Sequence, residues 1–221
     1  MDKYVATQLR YGIDEPGTAN ANVPVYSLLK PNTNARRVIL DNSLGSTINM
    51  QSIGIDLPRT HQVRQFMGNA KMVSSIDLAS DFTTIRIKPA YWDFYTFNGG
   101  AHDKVRATRL VQGNSQSLVI AQALLIHIFG EMPKLLGYID SIYLKSSDGN
   151  VVNHIADISE FVRKMAQWNL QVNMAKSIFL ATTDVDILGY HWTNSGSWSI
   201  LDYHVASLQN MPMPTTVKAI Q

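Results

Sequence analysis

Asp77 in SSIDLAS and Asp140 in GYIDS each fall at a polar break in an apolar, β-branched stretch. Carboxylates held at the ends of two strands suit hard divalent cations, which align a nucleotide's phosphates and stabilise in-line displacement. Aspartate is also favoured at turns for purely local reasons, so the pair alone is a weak signal. The chain has no cysteine. That excludes disulfides, thiolate metal sites and a cysteine nucleophile, and leaves oxygen or nitrogen ligands for any metal.

The elements that would position these residues follow from local patterning. Residues 3 to 11 read as a short helix, DEPGTANAN as a polar connector, and VPVYSLL as a strand. KPNTNA is then a hairpin tip and RRVILD the returning strand, a basic two-stranded flap broken by NSLGST. A helix is predicted over 60–68, then a long strand over MVSSIDLASDFTTIRI interrupted near its middle, where Asp77 sits. After a hairpin-like passage around FYTFNGG, Asn114 to Phe129 reads as a helix entered through polar residues. GYIDSIYLKS places strands on either side of an Asp140-Ser141 turn. Ile155, Ile158, Phe161, Val162 and Met165 repeat at helical spacing between Asn153 and Trp168. Short strands are expected around VNMAKSIFLA and VDILGYHW, and MPMPTTVKAIQ adds no globular unit. This order predicts an α+β fold, an antiparallel sheet with helices packed on one face.

Composition narrows function little. The chain has 221 residues, 45% hydrophobic, and a formal net charge of +2, enough for a real core but only a weak pull on polyanions. No apolar run approaches the roughly 20 residues that span a bilayer, and MDKYVATQLR lacks a signal-peptide core. An intracellular protein, cytoplasmic or nuclear, with no membrane partner is expected.

The ordered series of motifs resembles the reverse transcriptases of long-terminal-repeat retrotransposons and retroviruses, over about residues 5 to 218. QLRYGIDEPGTANANVPVYSLLKP is similar to that family's fingers entry. There the resemblance puts Lys30 at a phosphate-contacting lysine, and RRVILD puts Arg37 where an arginine grips the incoming triphosphate. IDLPRTHQVRQFMGNAKMVSSIDLASDFTTIRI resembles the stretch through motif A. Asp77 and the Leu78 backbone carbonyl would then be metal ligands, and Phe82 the aromatic that blocks a ribose 2′-hydroxyl. LVQGNSQSLVIAQALL resembles motif B, with Gln112 and Gly113 against the template-nucleotide pair. GYIDSIYLKS resembles motif C, matching at Tyr138 and Asp140, but Ser141 stands where a second aspartate is expected. VNMAKS, with Lys176 as proton donor to pyrophosphate, and DILGYHWTNSG look like motifs D and E. Two further departures are NSL after Asp41 and the absence of prolines in VQGNSQS.

The resemblance implies right-hand fingers and palm: fingers mainly over 1–75 with an interleaved return around 88–112, and palm mainly over 76–221, ending before a thumb. It implies RNA-directed DNA polymerase activity from deoxynucleoside triphosphates on a primed RNA or DNA template. Asp77 and Asp140 would be the catalytic metal-binding carboxylates, with magnesium, or manganese, as cofactor. The other domains of a retroelement polyprotein would be partners. Ser141 sets the alternative expectation, a catalytically inactive, degenerate or repurposed fragment that binds nucleic acid or is only structural.

Overall fold

The computed structural model describes residues 1–29, 36–42, 54–79 and 81–211, and the fold is α+β. It opens with helix α1 (Asp2–Arg10), which buries Val5 completely. Strand β1 (Asp14–Pro16) follows, then the antiparallel hairpin of β2 (Val25–Leu29) and β3 (Arg36–Leu40), closed by the Leu29–Arg36 pair. The expected tip of that hairpin, with Lys30, lies outside the described residues, as do SLGST after Asn42 and the last ten residues.

Helix α2 (Thr60–Met67) leads into β4 (Met72–Asp77). The long interrupted strand expected here is not formed. Beyond Asp77 come an isolated bridge from Leu78 to Val172, a single helical turn, α3 (Asp81–Thr84), and a second isolated bridge from Arg86 to Arg109. The reason is the ladder: Asp77 pairs with Ser141, the first residue of the neighbouring strand, so β4 has no partner on that side beyond this point. The passage around FYTFNGG becomes a 3-10 segment and two strands, β5 (Thr96–Asn98) and β6 (Lys104–Ala107), which join β1 in the order β1-β6-β5. Val5, Val23, Leu40, Tyr95, Phe97, Val105 and Val111 form one hydrophobic cluster, so the N-terminal segment and the stretch around 95–111 share a core.

Helix α4 (Ser115–Phe129) starts where Asn114 accepts a hydrogen bond from the Gln116 amide, and α5 (Val151–Gln167) where Asn150 accepts from Val152 and Asn153. These caps satisfy amides that the helices cannot. Between the helices lie β7 (Leu135–Tyr138) and β8 (Ser141–Ser146), and after them β9 (Ile178–Ala181), giving a four-stranded antiparallel sheet ordered β7-β8-β4-β9. Both helices pack on one face of it through Ile76, Leu125, Phe129, Ile142, Leu144 and Phe161. The buried stripe of α5 runs through His154, Ile158, Phe161 and Met165, whereas Ile155 and Val162 are about half exposed, contrary to expectation. Those two lie roughly 100° around the helix from the contact line.

The other face of the sheet is also covered. Met67 and Val63 of α2 meet Val73, Tyr143 and the side chains of a second small sheet, β10 (Asp184–Ile187), β11 (Tyr190–Thr193) and β12 (Trp198–Ile200). By packing, α2 and β4 therefore belong with the four-stranded sheet. Neither β12 nor the last described helix, α6 (Asp202–Gln209), is anticipated by the sequence pattern. No helix among the described residues is long and apolar enough to cross a membrane.

Candidate active site

Asp77 is fixed through its backbone. Its amide donates to Ser177 Oγ at 3.0 Å, its carbonyl accepts from the Asn173 amide at 2.7 Å, and the next amide, Leu78, donates to the Asp140 carbonyl at 2.7 Å. Main-chain bonds thus tie the ends of β4 and of the β7–β8 hairpin together. The Asp77 carboxylate points at Lys176, whose Nζ stands 3.5 Å from Oδ2.

Asp140 is presented by a turn one residue earlier than expected, Ile139-Asp140, because Ser141 already belongs to β8. Ile139 has φ 58, the left-handed region that costs a β-branched residue free energy. A buried side chain holds it there: Gln122 Oε1 accepts from the Ile139 amide at 2.8 Å and Nε2 donates to the Gly137 carbonyl at 3.0 Å. Gln122 is 1% exposed. Gln122→Leu leaves the part-buried Ile139 amide and Gly137 carbonyl without this partner and is expected to cost about 2 to 6 kcal/mol, at about 1 to 3 kcal/mol per unsatisfied group. Urea denaturation measures this, and an unchanged midpoint would show that the turn stands without the clamp.

The carboxylates open into a cleft of about 500 Å³. Arg37, Asp77, Leu78, Phe82, Gln112, Asp140 and Lys176 all line it. Gly113 has φ 103, and a Cβ there would fall inside the contact radius of the Leu40 carbonyl and the Ile39 side chain, so only glycine fits against β3. The adjacent Gln112 carbonyl accepts the Leu40 amide at 2.9 Å. Lys30 is outside the described residues.

Sequence reasoning missed other residues that line the cleft, namely Tyr4, Gln8, Asp14, Arg36, Arg109 and Asn173. Arg36 donates from Nη1 to the Ser27 carbonyl at 3.2 Å. Burial pushes the Asp14 carboxyl up to about 7. Burial, with the Asp14 charge as the second cause, pushes the Tyr4 phenol to about 12. Arg109 is shifted below the ordinary arginine value, first by burial and then by Arg86. Only Gln122 carried a signal in the sequence, a polar side chain in the middle of the apolar run VIAQALLIHIF.

For a metal, the oxygen donors offered are the carboxylates of Asp77 and Asp140 and the Leu78 carbonyl. Their chemistry suits magnesium or manganese. Among the described residues no group of three His, Cys, Asp or Glu side chains gathers in one place. The position that could complete one is Ser141, which pairs across the ladder with Asp77. The Ser141 hydroxyl shares a hydrogen bond with the phenol of Tyr143, which burial holds above its usual range. The donor set, two carboxylates and a carbonyl, fits a hard cation.

Comparison with known proteins gives a consistent result. The family model described as "Reverse transcriptase (RNA-dependent DNA polymerase)" matches residues 27–192. The retrovirus-related Pol polyprotein from transposon opus of Drosophila melanogaster is 29% identical over 230 residues, covering 100% of this chain and 22% of the relative. The Pro-Pol polyprotein of simian foamy virus type 1 is 25% identical, over 96% of this chain and 18% of the relative. The chain thus spans about a fifth of the length of the curated relatives it matches. A foamy viral protease-reverse transcriptase solved with double-stranded DNA superposes with a TM-score of 0.83 at 22% identity, covering 97% of this chain and 37% of that one. One solved with an RNA/DNA hybrid gives a TM-score of 0.80 at 23% identity, over 98% and 28%.

Proposed function

The chain belongs to the reverse transcriptase (RNA-dependent DNA polymerase) family, and we propose that it carries out template-directed DNA synthesis by nucleotidyl transfer from deoxynucleoside triphosphates, at a rate limited by Ser141. One observation carries this reading. Arg37, Asp77, Phe82, Gln112, Asp140 and Lys176 come from separate elements spread along the chain and line a single cleft. On this reading the lobe built from residues 1–29, 36–42 and around 88–112 is the fingers. The four-stranded sheet with its helices is the palm, and the packing of α2 and β4 supports counting them with the palm rather than the fingers.

In the proposed reaction Arg37, with Lys30, grips the triphosphate, since a guanidinium forks onto phosphate oxygens. Asp77, Asp140 and the Leu78 carbonyl would hold magnesium, or manganese. A cation held by these groups would supply positive charge to the transferred phosphoryl group and lower the pKa of the primer hydroxyl. Lys176, beside Asp77, donates a proton to the departing pyrophosphate. The Phe82 ring fills the space a ribose 2′-hydroxyl would need, and Gly113 lets the backbone approach the template-nucleotide pair. The partners are a primed RNA or DNA template, deoxynucleoside triphosphates and the other domains of a retroelement polyprotein.

A second reading, a cleft that still binds nucleic acid after losing its chemistry, is favoured by Ser141 alone. Primer extension on a homopolymer template with magnesium or manganese separates the two. Synthesis is expected only with the complementary deoxynucleotide, and Phe82→Val is expected to raise ribonucleotide incorporation about 10- to 100-fold, the usual worth of one small steric exclusion. Indifference to the template would sink the polymerase reading, and silence in both metals would favour the second.

A further inference from the structure

We propose that the wall of the cleft built from α1, β1 and the segment after β6 is a recognition surface for the edge of an unpaired template base, with Gln8, Asp14 and Arg109 as its hydrogen-bonding groups. This rests on the reading of the cleft as a nucleotide site.

Three polar groups on this wall lack partners. Gln8 Oε1 and Arg109 Nε are buried with nothing to bond. Asp14 is 6% exposed, and among the described residues no group donates a hydrogen bond to its carboxyl. All three line the cleft. Buried polar groups are nearly always satisfied, so unpaired atoms just beneath the surface of a cleft, in residues that line it, mark groups that something else completes when those side chains turn outward. Their chemistry is mixed: Gln8 Oε1 accepts, Arg109 Nε donates, and the Asp14 carboxyl does either according to its proton, with burial placing that exchange near neutrality.

A phosphate does not fit this set. It needs several donors, whereas Arg109 Nη1 is already drawn 3.4 Å from the Thr84 carbonyl and Asp14 would repel an anion. A base edge, which alternates donors and acceptors, does fit, and Ile13, Ala107 and Leu110 line the same cleft as apolar flanks for a planar ring. The base must be an unpaired one. The pairing edge of an incoming nucleotide is taken by the template, and a protein that also read it would admit one base in four. A carboxyl that both donates and accepts suits a template position through which every base must pass.

Fluorescence anisotropy tests this with labelled primer-templates whose overhang carries either a base or an abasic site at each of the first three unpaired positions, alongside a blunt duplex. The native chain is expected to bind the intact overhang about tenfold more tightly than the abasic one at a single position, the worth of a modest base-edge contact. Asp14→Leu and Gln8→Leu should each bring that ratio toward one and leave blunt-duplex binding unchanged, while Asp14→Asn, which keeps a polar edge, should retain part of it. A native ratio of one with normal blunt-duplex binding overturns the inference and leaves the cleft reading standing. Failure to bind any duplex overturns both.

Discussion

Asp77→Asn is expected to lower primer extension at least about a thousandfold, and Ser141→Asp to raise it by about a hundredfold or more, the first corresponding to the loss of about 4 kcal/mol of transition-state stabilisation. Asp77 is held in place by its backbone, not by its charge. The bonds to Ser177, Asn173 and the Asp140 turn survive in asparagine, so the fold should be kept while the anionic ligand is lost. For Ser141, the register puts the new carboxylate across the ladder from Asp77 and one residue after Asp140. Three carboxylates at one strand end repel each other by about 1 to 4 kcal/mol per close pair, according to how much water reaches them. Ser141→Asp should therefore melt at a lower temperature than the native chain in chelator, and gain more stability as magnesium is added, because a cation that binds only the folded state stabilises it by mass action. This thermal readout does not depend on synthesis. A Ser141→Asp variant with native magnesium dependence and native activity would show that Ser141 is not what limits the site. Full activity in Asp77→Asn would remove the carboxylate from the mechanism.

The residues legible in the sequence were those tied to ordered local patterns. Asp77 and Asp140 stand at breaks between β-branched runs, whereas Arg37, Phe82, Gln112 and Lys176 were singled out only by the resemblance to reverse transcriptase motifs; all six line one cleft. Helix α4 was legible because its polar entry and apolar interior agree, the condition under which local preference and tertiary packing give the same answer. What failed depended on neighbours distant in sequence. The stretch after Asp77 has suitable residues, but the ladder with β8 ends at Ser141 and Leu78 keeps only an isolated bridge to Val172, so propensity alone misled. Ile155 and Val162 satisfy a helical period, yet only the His154–Phe161 side of α5 meets the sheet. Gln122 and Asp14 are given no role by the sequence pattern. Their roles arise from burial against Ile139 and under α1, which no local window contains.

Asp14 also carries the largest expected dependence of stability on pH. Its carboxyl is ordinary in the unfolded chain and is raised to about 7 by burial in the folded one. The folded state therefore holds its proton over a range where the unfolded state has released it. Stability falls as pH rises through that window, from about 4 to about 7, and levels off above it. Roughly three pH units at about 1.4 kcal/mol each give a total loss of up to about 4 kcal/mol. Asp14→Asn has nothing to titrate, so the difference in unfolding free energy between it and the native chain should grow by about that amount between pH 4 and pH 8, as read from urea denaturation at several pH values. A difference that stays flat would mean that the native carboxyl is hydrated or paired in solution, and the unpartnered wall of the cleft would lose its central member. If the slope is present, a primer-template with an intact overhang should flatten it and one with an abasic site at the sensitive position should not. A base that bonds to the carboxylate removes the penalty that burial imposes on its charge.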